Sequence, residues 1–495
     1  IYILYAHDCD TLLNLLQCVS YFINIYMVCR ISEKIGCNRR YVILSGLLFA
    51  ATPIAFSEAL STLVDEFASI WMLFFCYMIL DLIQNRANLN LNRYGAGRIL
   101  LLGVIAGLGF LAKPSVVVGM AVFGFWMLIV CVSERESIKK TIVWVVGCGI
   151  TALLVIIPEI ARNIVTYHAI SDPWQGKGQL VSSFDPRLIY INLLKNVCAN
   201  LPSVFWSYLN PVLNKIVYWT AYILHVDADN IAISEHAKPF TLYTPPEYSY
   251  DKAINPVVMT LVLICFLAAV IMFFRQKTST KGVHHKVGFS VVAFISFFAI
   301  CAIAKWEGYV TRYFVSYFAI VCPAIVLQFQ KMTTVSQKRT NELRSGIILG
   351  IVGFMCLSEL MGLLYYHYEH TYNKGNWNER AQAYYVINSD SYTDNYQKIE
   401  KFFSDKTFDR IGIYDTPGVY EYPVLKMLDG RSHSIEHICV ENASSKYEDA
   451  NYVPDVIVAI TEDPSLLPTG QEYVCHGKKY TKIYRLSKTC SIILP

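Results

Sequence analysis

Ionisable residues gather where the apolar stretches of this sequence end. They are Glu58, then Asp65 and Glu66, then Lys113, then the run Pro158-Glu159-Ile160-Ala161-Arg162-Asn163 with His168 and Asp172 beyond it. The last group is Lys305-Trp306-Glu307-Gly308-Tyr309, followed by Arg312-Tyr313. Cations such as Lys113, Arg162 and Arg312 can hold a phosphoryl oxyanion through charge-assisted hydrogen bonds. Carboxylates beside them, Asp65 and Glu307, can orient sugar hydroxyls or accept a proton. Trp306, Tyr309 and Tyr313 can cover a sugar face or anchor in a headgroup layer. Together these types suit transfer of a sugar from a lipid phosphate to an acceptor at a membrane surface. Each residue also has an ordinary reading. The cations can snorkel to headgroups, Asp65 can complement a helix dipole, Glu58 and Glu66 can simply be solvated, and the aromatics can form an interface belt.

The elements that must position these residues are membrane helices. Of 495 residues, 54% are hydrophobic and 16% charged, against roughly 25% charged in an ordinary globular chain. The mean hydropathy is +0.38. This composition excludes a disordered chain, a coiled coil and a typical cytosolic enzyme. A net charge of +4 without a single basic patch gives no reason to expect a nucleic-acid partner. The 15 cysteines contain no Cys-x-x-Cys pair and sit mostly in apolar runs, so neither a disulfide scaffold nor a zinc site is expected.

A bilayer-crossing helix needs about 20 apolar residues, and ten segments qualify: 11–30, 41–57, 65–83, 98–112, 114–131, 141–158, 254–274, 287–304, 310–329 and 346–366. Pro114 suits the first turn of the fifth. Lys and Arg accumulate in cytoplasmic loops. The loops 30–40, 84–98, 132–140, 275–286 and 330–345 hold eighteen of them, and the alternate short loops three. Both termini and the ionisable set above therefore face away from the cytoplasm.

This gives a polytopic helical domain over 1–366, with an outer loop 159–253 whose stretches Arg187–Leu201 and Val204–Val226 read as amphipathic helices on the membrane surface. Residues 367–495 have soluble composition and read as a small α/β domain: helices at 393–404 and 418–428, strands at 410–414, 436–441 and 455–461, and a hairpin around Gly477 within 472–486. Asn442-Ala443-Ser444 matches a glycosylation acceptor, a pattern short enough to arise by chance.

The set resembles the polytopic glycosyltransferases of the GT-C fold, in particular the family 39 protein mannosyltransferases and the aminoarabinose transferases. Thr52-Pro53 followed by Asp65 looks like the family's helix–loop–Asp element. Gly107-Leu108-Gly109-Phe110-Leu111-Ala112-Lys113 is similar to its Gly-Leu-x-x-Leu-x-Lys element. Pro158 with Arg162-Asn163 looks like its Pro-x-x-x-Arg-Asn element, and Arg312-Tyr313 before Pro323 resembles a weaker later one. The resemblance covers about residues 11–330. It implies glycosyl transfer from a polyprenyl-phosphate donor to an acceptor that is a protein, lipid or glycan, without a metal or other cofactor. It also implies roles: Asp65 organises a sugar in the outer cavity, Lys113 and Arg162 neutralise the lipid phosphate, Arg312 is a second phosphate ligand, and Glu307 meets a sugar hydroxyl. The family's catalytic carboxylate lies in a first outer loop, of which only Ile1–Asp10 would remain here. Asp8 and Asp10 do not sit in its expected setting, so that residue and an upstream helix are expected to be missing. A bacterial plasma membrane with an undecaprenyl carrier is the expected location; in a non-bacterial host an endoplasmic-reticulum membrane with dolichol is expected instead.

Two other functions fit a ten-span chain. A transporter or flippase of lipid-linked sugars would place its polar groups near mid-membrane in repeated halves, whereas here they lie at the outer boundary and no halves match. A non-catalytic surface-polymer assembly protein is the third reading. Sugar transfer in proteoliposomes separates the first from both.

Overall fold

Each of the ten apolar segments carries helix within its described residues in the computed structural model of the chain. It describes residues 12, 14–85, 91–133, 136–171, 179–201, 209–235, 239–242, 253–275, 281–334, 338–368, 390–415, 421–428, 430–461, 463–467 and 472–495. Asp8, Asp10 and Asp172 lie outside these. Among the described residues seven helices are long and apolar enough to cross a membrane, and eight if a bent pair counts as one span. Two more apolar helices, Pro256–Ile271 and Gly288–Ile303, are shorter. The chain is a mainly α, multi-pass membrane protein with a small strand-containing C-terminal unit.

The bent pair is Arg39–Ala50 and Pro53–Ala59, which meet at 66°. The segment 41–57 is thus not one straight helix. Proline lacks an N–H and disfavours helical geometry in the residue before it, and Thr52 is accordingly extended. The bend turns the second piece so that its Glu58 is fully buried.

The helix Leu15–Lys34 carries polar residues inward and apolar ones outward. Gln17, Ser20, Asn24 and Ser32 are buried, while Leu16, Phe22 and Tyr26 are exposed to what would be lipid. Its inward amides grip the turn that begins the next long helix, Asp65–Gln84. Gln17 donates to the Leu63 carbonyl and accepts from Phe67 N–H at 3.0 Å. Asn24 donates to the Glu66 carbonyl at 2.8 Å and to its carboxylate at 2.6 Å. Away from water such bonds have no competitor.

Helix Arg93–Ala112 packs on helix Ile138–Tyr167 through Gly103 and Gly107, one turn apart. A Cβ at Gly103 would lie 2.7 Å from the Cys148 carbonyl, and one at Gly107 2.9 Å from that of Ala152. Small residues at this spacing let two membrane helices approach backbone to backbone. The next residue after the helix is Lys113. The helical segment Val310–Met332 is central, with 94% of its apolar window buried, against 11% for Ile138–Tyr167. Ser316 bonds Ser69 at 2.7 Å, and Tyr317 Oη donates to the Ser115 carbonyl at 2.6 Å.

The expected amphipathic stretches are helices Pro186–Ala199 and Asn210–Ile223. Residues 179–182 and 232–235 lie alongside 303–306 as short bridges, among them Val181 N–H to the Ile303 carbonyl at 2.9 Å and Glu235 N–H to the Trp306 carbonyl at 3.1 Å.

The chain divides into two compact units, the second being 365–495 with 166–168. The second unit has a five-stranded sheet in the order β2-β1-β3-β7-β6, formed by β1 (Phe408–Asp415), β2 (Ser432–His437), β3 (Val456–Ile460), β6 (Lys482–Arg485) and β7 (Cys490–Leu494). The first three are parallel, and β7 and β6 run antiparallel. Helices Asp390–Phe403 and Tyr422–Leu428 supply Tyr396, Ile399, Phe403, Val424 and Leu428 to a core with Ile411, Val458 and Ile492.

Three expectations shift here. Strand β2 lies at 432–437 rather than 436–441, because Cys439 takes a left-handed conformation (φ 55°) that ends the extended run. The hairpin at Gly477 is only β4 (Tyr473–Cys475) with β5 (Lys478–Tyr480). His476 and Gly477 both have positive φ (46° and 78°), as a tight two-residue hairpin requires. Residues beyond Thr481 instead enter the larger sheet, and β7 was not foreseen.

Candidate active site

Asp65 opens its helix, where a carboxylate complements the partial positive charge of the N-terminus. Its side chain is 4% exposed and forms an ion pair with Lys113 Nζ, itself 15% exposed. Lys113 follows the last residue of its own helix, in extended conformation. The bundle thus brings together two residues 48 apart in the chain.

Lys113 Nζ also stands 4.4 Å from the centre of the Tyr313 ring. The Arg312 guanidinium lies 5.2 Å from the same ring, and donates weakly to the Tyr313 hydroxyl at 3.4 Å. Two cations therefore share one tyrosine that is itself 6% exposed. Glu307 lies beside Tyr313 and Glu235. Burial, and then the Glu235 carboxyl, push the Glu307 carboxyl up to about 7. Among the described residues its Oε1 is buried without a hydrogen-bond partner, and so is Arg312 Nε. Glu58 is close enough to feel the charges of both Asp65 and Lys113, and accepts a hydrogen bond from Ser61 at 3.0 Å.

Asp65, Lys113, Arg312 and Glu307 thus belong to one connected network through Tyr313. Arg162 does not join it among the described contacts. Its side chain is 64% exposed and pairs with Glu159 one turn back at 2.5 Å. Glu58 and Glu66 are buried rather than solvated. The polar stripe Gln17, Ser20, Asn24 on the first helix was the sequence signal that neighbouring polar groups are covered. Trp306 is not an interface residue either: it is 7% exposed and packs edge-on against Phe240, 5.0 Å between ring centres.

A second buried lysine was missed. Lys195 is fully buried, donates to Ser234 at 2.7 Å and lies 3.6 Å from Asp229. The rings of Trp306 and Phe240 face its ammonium at 5.3 and 5.6 Å. Burial outweighs Asp229 and lowers its pKa to about 8. On the same helix Asn192 and Asn196 donate to the Cys301 and Ala304 carbonyls. They satisfy the carbonyls that a helix end leaves unpaired. The cluster ties the outer loop to the segment that carries Glu307.

In the C-terminal unit, Asp415, Glu421 and His437 each offer a ligand atom within 4.8 Å of the others, a donor set that a divalent cation could use. His437 and Glu421 already bond each other at 2.7 Å. Contact with Glu421 raises the histidine pKa above its ordinary value.

No curated protein matches the chain. Among solved structures it is similar to ArnT from Cupriavidus metallidurans bound to undecaprenyl phosphate, at 10% identity and a TM-score of 0.48, over 97% of this chain and 83% of that one. It is also similar to the Archaeoglobus fulgidus oligosaccharyltransferase in the apo form, at 11% identity and a TM-score of 0.37, over 90% of this chain and 58% of that one. Residues 5–161 match the sequence model of the dolichyl-phosphate-mannose-protein mannosyltransferases. The matched segment contains Glu58, Asp65 and Lys113, the buried centre of the site. That part of the multi-pass helical bundle is therefore similar to this mannosyltransferase family.

Proposed function

We propose that the chain transfers a sugar from a polyprenyl-phosphate donor to an acceptor at the non-cytoplasmic rim of the membrane, and that Lys113 and Arg312 grip the lipid phosphate. The observation that carries this reading is the convergence of both cations on the buried ring of Tyr313, with Asp65 bound to one of them. As the glycosidic bond breaks, negative charge develops on the departing phosphate. Cations fixed in place beforehand stabilise it without further reorganisation.

Asp65 aims the Lys113 ammonium, which has three donors and can serve a carboxylate and a phosphate oxygen together. The Nε of Arg312, without a partner among the described residues, is a donor that a phosphate oxygen would satisfy, and Oε1 of Glu307 is an acceptor for a sugar hydroxyl. The family description names a dolichyl-phosphate-linked sugar, which supports the donor class. The eighteen-to-three loop bias in basic residues supports the outward side.

Radiolabelled transfer from a polyprenyl-phosphate sugar in proteoliposomes tests the reading. Transfer that survives Lys113→Ala and Arg312→Ala undiminished would remove both from the site. Movement of the lipid-linked sugar between leaflets without transfer would identify a flippase instead.

A further inference from the structure

Two cysteines of the C-terminal unit, 36 residues apart, bring their sulfurs to 3.4 Å. Cys439 follows β2 and Cys475 ends β4, so they join the crossover after one sheet strand to the small hairpin. We propose that Cys439 and Cys475 are a dithiol that closes to a disulfide and pins the hairpin to the sheet.

The segments on both sides are already held by one carboxylate, one through its backbone and the other through a side chain. Glu448 accepts the Cys439 N–H and, at 3.0 Å, the Val440 N–H. The same carboxylate binds His476 Nε2 at 2.8 Å, next in sequence to Cys475. His476 Nδ1 is fixed in turn by the Tyr452 carbonyl at 2.6 Å. The two arms that carry the thiols thus cannot drift apart independently. A disulfide needs its sulfurs at about 2.04 Å, so closure shortens this contact by about 1.4 Å.

The chemistry favours Cys439 as the first nucleophile. The Tyr473 hydroxyl donates to its sulfur at 3.2 Å, which stabilises a thiolate. Contact with Cys475, against burial and with help from Tyr473, pulls its pKa down to about 6, while Cys475 moves up. Cys475 is 2% exposed and Cys439 only partly buried, so an external oxidant meets Cys439. The Cys439 thiolate attacks one sulfur of an oxidant disulfide, forms a mixed disulfide and expels the first thiolate. Cys475 then gives its proton to that thiolate and attacks the Cys439 sulfur, expelling the second. Two protein thiols are oxidised and one small-molecule disulfide is reduced to two thiols. Such a bond persists in an extracytoplasmic compartment, where the basic-loop bias puts this unit. That part rests on the outward orientation in the proposed function.

The experiment has two arms, both on the full chain in detergent. In the first, reduced protein is treated with oxidised glutathione, alkylated and mapped by peptide mass spectrometry. A Cys439–Cys475 cross-link is expected, with glutathione trapped on Cys439 in Cys475→Ser. Glu448→Gln, which loosens both arms, should slow closure roughly tenfold. Stable glutathionylation of Cys439 in the unmodified sequence, without the cross-link, would overturn the pairing. In the second arm the protein is alkylated in acid directly from membranes. The cross-link is expected there too. Free thiols in that arm, with closure intact in the first, would support the pair and contradict the outward orientation.

Discussion

Lys113 and Lys195 are both lysines taken out of water, yet they are held in opposite ways. Lys113 meets one carboxylate and one ring and keeps part of its surface open. Lys195 is enclosed by Ser234, Asp229, Trp306 and Phe240, with none of its surface open. An enclosed ammonium has spent its donors on the fold and acts as a staple for the outer loop. A partly open one, fixed at its base, can still serve a ligand. Burial alone therefore does not identify a functional cation; the remaining open side does.

The largest expected effect is on transfer through Lys113. Lys113→Ala should lower the rate by about 10²–10³-fold, the cost of removing one preorganised charge partner; because it also leaves the buried Asp65 unpaired, the rate is compared on protein that has kept its fold. A loss of fold in place of a loss of rate would make Lys113 a staple like its counterpart. Lys195→Ala should do the reverse. It leaves Asp229 and Ser234 without their cation and should destabilise the loop by about 2–4 kcal/mol, read as a lower inactivation temperature. Lys195→Met, which keeps the volume, should recover much of that loss and retain transfer.

The buried charge also gives a pH signature. Lys195 titrates near 8 in the fold, and an unfolded lysine near 10.4. Between those values the unfolded chain binds more protons, so stability should rise with pH across that window. The rise should vanish in Lys195→Met, as measured by inactivation temperature against pH. Glu307 supplies the matching test at the site. Its carboxylate form is lost as pH falls through about 7, and the KM for donor should climb there several-fold. Glu235→Gln removes a neighbouring carboxylate and should shift that limb to lower pH; an unmoved limb would separate Glu307 from the sugar. The smallest effect belongs to Arg162→Ala. An exposed cation paired within its own helix contributes little, so transfer should change by less than about threefold.

The contrast explains what the sequence could reveal. Spans were legible because crossing a bilayer requires only local apolar length. Lys113 and Asp65 were legible because each sits where a span begins or ends, and because the motifs around them are familiar. The bend at Thr52-Pro53 carried its own local signal, yet the burial of Glu58 that follows from it is tertiary. Lys195 lies in a stretch of mixed polarity where a lysine reads as solvated. Only the spacing of Asn192, Lys195, Asn196 and Asn200 along one helix face hinted that the face is covered. Arg162 illustrates the opposite case: a motif drew attention to it, and the structure pairs it with Glu159 one turn away.

The most direct measurement is equilibrium binding of a radiolabelled polyprenyl monophosphate to purified protein, compared among the parent, Lys113→Ala, Lys195→Met and Arg162→Ala. Binding should weaken at least about tenfold in Lys113→Ala, the effect of losing roughly 1.4 kcal/mol, and stay near the parent in the other two. Equal binding by the parent and Lys113→Ala, with the fold intact, would contradict the assignment of the phosphate to this site.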